Sequence, residues 1–294
     1  MGPVYRSFDL DSLNRQYDNR GKVTREALEA YRGEWALGSD LARTSFDCAL
    51  DIQYGATIDE KLDVFKPAAV GPHPVQVYIH GGYWHFGDKR ECAYVALGLC
   101  ANSMVTVVIN YGLAPLVSVA QQVEQTVNAI KWVAKNIARY DGDPSSVYVV
   151  GHSAGAHLAL MTVAREFGAR DARLSSGLVK GVCALSGVYD LEPIIRTSMN
   201  ERIRLIDHEI EALSPARLDC DGDVIALVGV GSLEGEEFIR QTDVLVNRWS
   251  QKSSNVRAKI YEGDDHFSIR TGLGHPQSEV CRDIQGLMGR IIEE

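Results

Sequence analysis

The stretch from Val147 to Leu160 restricts the fold of this 294-residue chain more than any other. The apolar run Val147–Val150 has the length of a strand. It meets Gly151-His152-Ser153-Ala154-Gly155 and continues at once as Ala156-His157-Leu158-Ala159-Leu160. A short apolar run bounded by small residues reads as a buried strand, and the apolar stretch after it as a helix expected from about Ala154 to Phe167. Both elements need cover on every side, which a parallel sheet with helices on both faces supplies.

The rest of the pattern agrees. Val75–Ile79, Met104–Ile109, Val179–Leu185, Asp223–Val230 and Arg257–Tyr261 read as further strands. Lys89–Ala101, Val119–Arg139, Gly235–Ser250 and Pro276–Ile292 read as helices alternating with them. Ser45–Tyr54 and Lys61–Phe65 come before the alternation, around a turn near Gly55, and predict an antiparallel edge. The expected architecture is one α/β domain over residues 1–294, a mostly parallel central sheet with helices on both faces. It carries an N-terminal extension over about 1–45, helical from Thr24 to Leu37, and a small cap-like insertion over about 190–221.

Charge narrows the function classes. Lys and Arg number 30 against 39 Asp and Glu, a net charge of −9 with no basic block. Neither nucleic acid nor an anionic membrane surface is expected as a partner. The apolar run Met104–Ile109 is far short of a membrane span, and the first residues carry no secretory apolar region. The six cysteines are scattered without a CxxC pair, so they predict buried thiols in a reducing, cytoplasmic setting rather than a zinc site. No cofactor or metal is expected, and a homodimer stays open as an assembly.

Gly151–Gly155 fits G-x-S-x-G. Small residues permit a sharp turn that lifts the Ser153 hydroxyl clear of the sheet, at a helix N-terminus suited to a developing oxyanion. His80-Gly81-Gly82-Tyr83-Trp84 follows the strand Val75–Ile79. Glycines let backbone N–H groups approach a reacting carbonyl, so Gly82, Tyr83 and Ala154 are the candidate oxyanion donors, with His80 bracing the loop. The candidate base is His266, just past the last expected strand, where catalytic groups gather in open α/β sheets. His73 sits in a Pro-rich loop, His152 and His157 flank the elbow, and His208 and His275 have no strand end beside them.

An acid orienting His266 belongs after the strand Asp223–Val230, since the chain order with this elbow is Ser, acid, His. Glu234, Glu236 and Glu237 all lie there; Glu234 is nearest the strand end, whereas Asp264 and Asp265 are too close to His266 in sequence. Trp84, His85, Phe86, Tyr111, Tyr189 and Phe267 cluster around the motifs as candidate substrate contacts.

Together these segments resemble the kynurenine formamidase (arylformamidase) branch of the α/β-hydrolase superfamily, near the hormone-sensitive-lipase-like esterases. The resemblance runs over nearly the whole chain. Gln16-Tyr17-Asp18-Asn19-Arg20, HGGYW at 80–84, Gly87-Asp88-Lys89, Asn110–Pro115, GHSAGAHLA at 151–159, Ser186–Leu191, Leu213-Ser214-Pro215, Glu237–Gln241 and Asp265-His266-Phe267 carry it. It implies an α/β-hydrolase fold with Ser153 as nucleophile, His266 as base and Glu234 as acid. The chain departs from the branch in having Glu234 where several members use Asp, and Ala156 where a second glycine is usual.

The implied activity is metal-independent hydrolysis of a small ester or amide through an acyl-enzyme, with an N-formyl or N-acyl arylamine as a fitting substrate. A broad short-chain carboxylesterase is the alternative within the same chemistry. A non-catalytic binding protein on the same fold is the alternative outside it, and such proteins typically lose the serine or histidine that this chain keeps.

Overall fold

The computed structural model describes residues 2–164, 177–220, 224–287 and 289. Among these residues eight strands form one sheet in the order β1-β2-β4-β3-β5-β6-β7-β8. β1 (Asp47–Gln53) pairs antiparallel with β2 (Lys61–Lys66), and β2 pairs antiparallel with β4 (Val105–Ile109). From β4 onward β3 (His73–Ile79), β5 (Gly142–His152), β6 (Val179–Leu185), β7 (Ile225–Gly231) and β8 (Val256–Tyr261) run parallel. This is the α/β-hydrolase architecture, with the antiparallel pair at one edge.

Alternation within the apolar strands feeds two cores. Val75, Val77 and Ile79 of β3 join one with helices α4 (Val119–Asn136) and α5 (Ala154–Met161), while Tyr78 joins the other with α2 (Arg25–Ser45) and α3 (Val95–Leu99). Every residue of α5 is buried, which is why its sequence is apolar all round.

Several elements differ from the sequence reading. α1 (Leu10–Tyr17) is an additional helix, capped by Asp9, whose carboxylate accepts from the Ser12 N–H at 2.8 Å. α2 extends to Ser45 and starts at a Thr24 cap. Lys89–Ala101 is not one helix but a 3-10 turn, Lys89–Cys92, followed by α3. There the Lys89 ammonium is drawn inward to Asp63 at 2.6 Å and Asp51 at 2.7 Å, tying the turn to the β1–β2 edge. His73 opens β3 rather than lying in a loop. The expected ends at 165–167, Asp223, 288 and 290–292 lie outside the described residues.

Between residues 190 and 220 the described chain makes three short α-helices, Glu192–Ile195, Asn200–Ile203 and Asp207–Leu213, and the 3-10 turn Pro215–Arg217. Ile203, Ile210 and Leu213 pack into the same core as α5, and Met199 and Arg202 of this segment line the cavity that Ser153 and His266 also line.

Candidate active site

β5 ends at His152 and α5 begins at Ala154, leaving Ser153 at the corner with φ 57° and ψ −123°. Positive φ is costly for a residue with a Cβ, and packing on both sides imposes it here. A Cβ on Gly155 would collide with Ile79 O, and one on Gly151 with Gly155 O, so α5 can start this close to the sheet only with glycine at both places. The Ser153 N–H donates to Leu185 O at 2.8 Å, anchoring the corner to β6.

The loop after β3 lies against this corner: a Cβ on Gly81 would stand 2.9 Å from Ser153 Cβ. Gly82, Tyr83 and Trp84 have φ of 122°, 46° and 57°, and the His85 and Phe86 N–H groups each donate to Gly82 O at 3.0 Å, closing the loop on itself. His80 braces it from below. Its ring stacks on Tyr111 at 4.4 Å, and its Nε2 lies 3.2 Å from Asn110 Oδ1, which also accepts from the Lys89 N–H.

Past β8, His266 Nδ1 meets Glu234 Oε2 at 2.6 Å, with the glutamate side chain fully buried. The other Glu234 oxygen accepts from Ser186 Oγ at 2.5 Å and from the Gly231 N–H at 2.9 Å. Behind this histidine, His152 Nε2 donates to the His266 carbonyl oxygen at 2.8 Å, and the two rings lie 4.6 Å apart. Burial, and then the closeness of the His266 imidazole, hold the His152 pKa well below the usual histidine range. His152 is therefore a neutral Nε2–H donor. Of the rival glutamates, Glu236 is exposed, and Glu237 is buried against Arg240 at 2.7 Å and the Tyr17 hydroxyl at 3.1 Å.

Ser153 and His266 line one cavity of about 470 Å³ together with Gly82, Tyr83, His85, Phe86 and Phe267. Ala154 is buried at the first position of α5. Three expected substrate contacts are corrected by the structure, because Trp84, Tyr111 and Tyr189 do not line the cavity. Each is a buried ring whose polar atom is satisfied inside the protein. Trp84 Nε1 donates to His157 Nδ1 at 3.2 Å, Tyr111 Oη to His80 O at 2.7 Å, and Tyr189 Oη to Ala184 O at 3.3 Å.

Sequence reasoning missed Asn19, Arg20, Met199, Arg202 and Arg270, which do line the cavity. The first two lie in the Gln16–Arg20 motif, and that motif was the available signal. Tyr83 Oη donates to Tyr17 O and accepts from Asn19 Nδ2 at 3.1 Å, so the N-terminal segment is clamped onto the HGGYW loop. The Arg20 guanidinium stands 5.0 Å over the Phe86 ring. Among the described residues there is no group of three or more His, Cys, Asp or Glu side chains arranged to hold a metal ion.

The BD-FAE family model matches residues 62–213, just over half of the chain, from β2 through the helix that ends at Leu213. The chain belongs to the BD-FAE family. A kynurenine formamidase of Danio rerio is 29% identical to this BD-FAE member, the match covering 90% of this chain and 92% of the fish protein. The crystal structure of a candidate thioesterase from Silicibacter sp. tm1040 superposes with a TM-score of 0.80 at 26% identity, covering 92% of this chain and 97% of the other. An esterase of Pyrobaculum calidifontis shares the fold, with a TM-score of 0.62 at 20% identity, covering 94% of this chain and 97% of the other. The BD-FAE member described here is a hydrolase on the α/β-hydrolase fold.

Proposed function

We propose that this protein is a serine hydrolase that cleaves a small ester or amide, with Ser153 as nucleophile, His266 as general base and Glu234 as the acid that orients it. The observation that carries the reading is the buried 2.6 Å contact between His266 Nδ1 and Glu234 Oε2, in a cavity whose wall includes Ser153 on its strained corner. With Nδ1–H donated to the carboxylate, Nε2 is left to take the Ser153 proton. The alkoxide attacks the carbonyl, and the N–H groups of Gly82, Tyr83 and Ala154 receive the oxyanion, each donor contributing roughly 10²–10³ in rate. His266 then passes the proton to the leaving oxygen or nitrogen. Water, deprotonated by the same histidine, releases the acid from the acyl-enzyme.

The HGGYW loop folds back on Gly82 directly beside Ser153, which supports a short acyl group: formyl or acetyl rather than a long chain. The aromatic rings of Phe86 and Phe267 at the cavity suit an aryl leaving group, as in N-formyl arylamines or aryl esters. Similarity to a kynurenine formamidase favours the formamide. A broad short-chain carboxylesterase is the second reading, favoured by the resemblance to the hormone-sensitive-lipase-like esterases.

A fluorophosphonate probe tests the core of the reading: it should label the parent at Ser153 and leave Ser153→Ala unlabelled. A turnover screen with N-formylkynurenine, aryl formates, aryl amides and nitrophenyl esters of increasing chain length then separates the two substrate classes. Equal turnover of acetyl and decanoyl esters would refute the short acyl site.

A further inference from the structure

Among the described residues five arginines are half-buried: Arg43, Arg217, Arg240, Arg248 and Arg270. Four of them hold a carboxylate, Arg43 with Asp40 at 3.2 Å, Arg217 with Asp190 at 3.1 Å, Arg240 with Glu237 at 2.7 Å and Arg248 with Asp219 at 3.0 Å. Arg270 holds none among those residues, and it is the one of the five that lines the cavity shared by Ser153 and His266. Its guanidinium stands 4.0 Å over the Trp35 ring and 5.6 Å from the Tyr94 ring. Nε donates to Tyr94 Oη at 2.9 Å, and Nη2 reaches Cys92 Sγ at 3.3 Å. Aromatic faces ease the burial of a cation but accept none of the N–H groups in its plane. Nη1 makes no hydrogen bond among the described residues, and it is not one of their buried, unpartnered polar atoms, so it reaches accessible space. A guanidinium drawn out of water is ordinarily paired, because its desolvation is otherwise uncompensated.

Position decides which group of a ligand meets it. Arg270 lies in the helix Ser268–Thr271, four residues after His266. Phe267 connects the two: its ring meets the His266 ring edge-on at 5.6 Å and lies 6.3 Å from the Trp35 ring, on which Arg270 stacks. The leaving group of an ester or amide takes its proton from the histidine, so it departs on the His266 side. A cavity of about 470 Å³ is the size one small ligand fills, so a substrate in it can touch both Ser153 and this guanidinium. Asp88 and Glu91 also border the cavity, but neither carboxylate pairs with Arg270; Asp88 instead accepts from the Arg90 N–H at 2.8 Å.

We infer that Arg270 binds a carboxylate on an aryl leaving group, so that this enzyme selects aryl esters or amides carrying an acid over their neutral counterparts. The inference rests on the proposed serine-hydrolase reading and names its substrate class. The Trp35 and Tyr94 contacts hold the guanidinium in place before the ligand arrives, which lowers the entropy lost on binding, and the open Nη1 supplies a charge-assisted hydrogen bond.

The test uses pairs that differ in charge and not in shape: meta- and para-acetoxybenzoate, each against the matching acetoxybenzamide. At physiological ionic strength the full-length parent should favour the carboxylate by about tenfold or more in kcat/KM in at least one of the two series, the size of one hydrogen bond to a charged group. Arg270→Gln should lower that preference about tenfold to a hundredfold, and Arg270→Lys, which keeps the charge but not the fork, should retain part of it. A parent without preference in either series would overturn the inference, and that measurement needs no variant. Equal losses on both members of a pair in Arg270→Gln would overturn it too, assigning the residue to holding the helix that follows His266. So would a preference that survives Arg270→Gln unchanged. The serine-hydrolase reading is followed separately, since it requires that acetoxybenzamide turnover and fluorophosphonate labelling depend on Ser153.

Discussion

Two walls of the same cavity are built in opposite ways. On the His266 side, His266 and His152 line the cavity and Glu234 and Ser186 stand behind them; all four are buried, come from the carboxyl ends of β5, β6, β7 and β8 or the loops after them, and share a hydrogen-bond network. On the rim, Arg20 and Arg202 are exposed, Phe86 is 40% exposed, and Met199 is half-buried; these residues come from the segment after α1, the HGGYW loop and the short helix Asn200–Ile203 with the residue before it. The difference follows from what each wall must do. Orienting an imidazole requires a fixed geometry in low dielectric, which parallel strand ends supply. Admitting and sorting substrates requires side chains that can adjust, which short surface elements supply.

The contrast predicts a gradient of effects. Ser153→Ala, at the junction of the two walls, should lower kcat by several powers of ten with the thermal transition unchanged, since loss of a nucleophile in such a set costs on the order of 10⁴–10⁶. Residual activity within about tenfold of the parent would break the assignment. On the base wall, Glu234→Gln should lower kcat by roughly 10²–10⁴, because His266 would lose the partner that fixes its tautomer, while Glu236→Gln on the surface should stay within about tenfold. A large loss at Glu236 would move the acid by two positions.

The joints between the walls should respond in stability rather than chemistry. Glu237 binds Arg240 and the Tyr17 hydroxyl, and its N–H donates to Gln16 Oε1, so it ties the helix Glu236–Trp249 to the end of α1. Glu237→Gln should cost about 2 kcal/mol in denaturant unfolding, with kcat within about tenfold, because it leaves a partly buried guanidinium short of its carboxylate. A loss of activity without a loss of stability would show that this joint belongs to the base wall.

The second joint carries a pH dependence. His157 accepts from Trp84 Nε1 and donates to Leu213 O at 2.7 Å, linking the HGGYW loop to the segment above the strands. Burial lowers its pKa to about 4, so between that value and the ordinary histidine value the unfolded chain binds the extra proton and folding stability drops as the pH is lowered. Going from about pH 7 to about pH 5 should therefore cost about 2 kcal/mol at this residue, and His157→Gln should flatten that slope in chemical denaturation. An unaltered slope in the variant would assign the acid sensitivity to His80 or His152, which burial also lowers. The smallest effect is expected on the rim, where Arg202→Ala should change KM by less than about threefold and leave kcat alone, as exposed charges contribute little.

The sequence by itself determined the strand–corner–helix at Val147–Leu160, the glycine loop after β3, and a histidine just past the last strand. These features are local. They follow from the two-residue and 3.6-residue periods, from the steric demand for glycine at positions 151 and 155, and from the fact that parallel strands deliver their ends to one edge. The antiparallel edge was legible for the same reason. Contacts between distant segments decided the rest. The sequence left three glutamates after β7, and only the turn that brings Glu234 back onto Gly231 aims its carboxylate at His266, 32 residues away. Nothing in the pattern separated rings that face a cavity from rings that fill a core, so Trp84, Tyr111 and Tyr189 were indistinguishable from Phe86 and Phe267 until packing sorted them. The placement of Tyr17, Asn19 and Arg20 on the cavity wall depends on a hydroxyl 66 residues further along the chain from Tyr17, a pairing that no local period encodes.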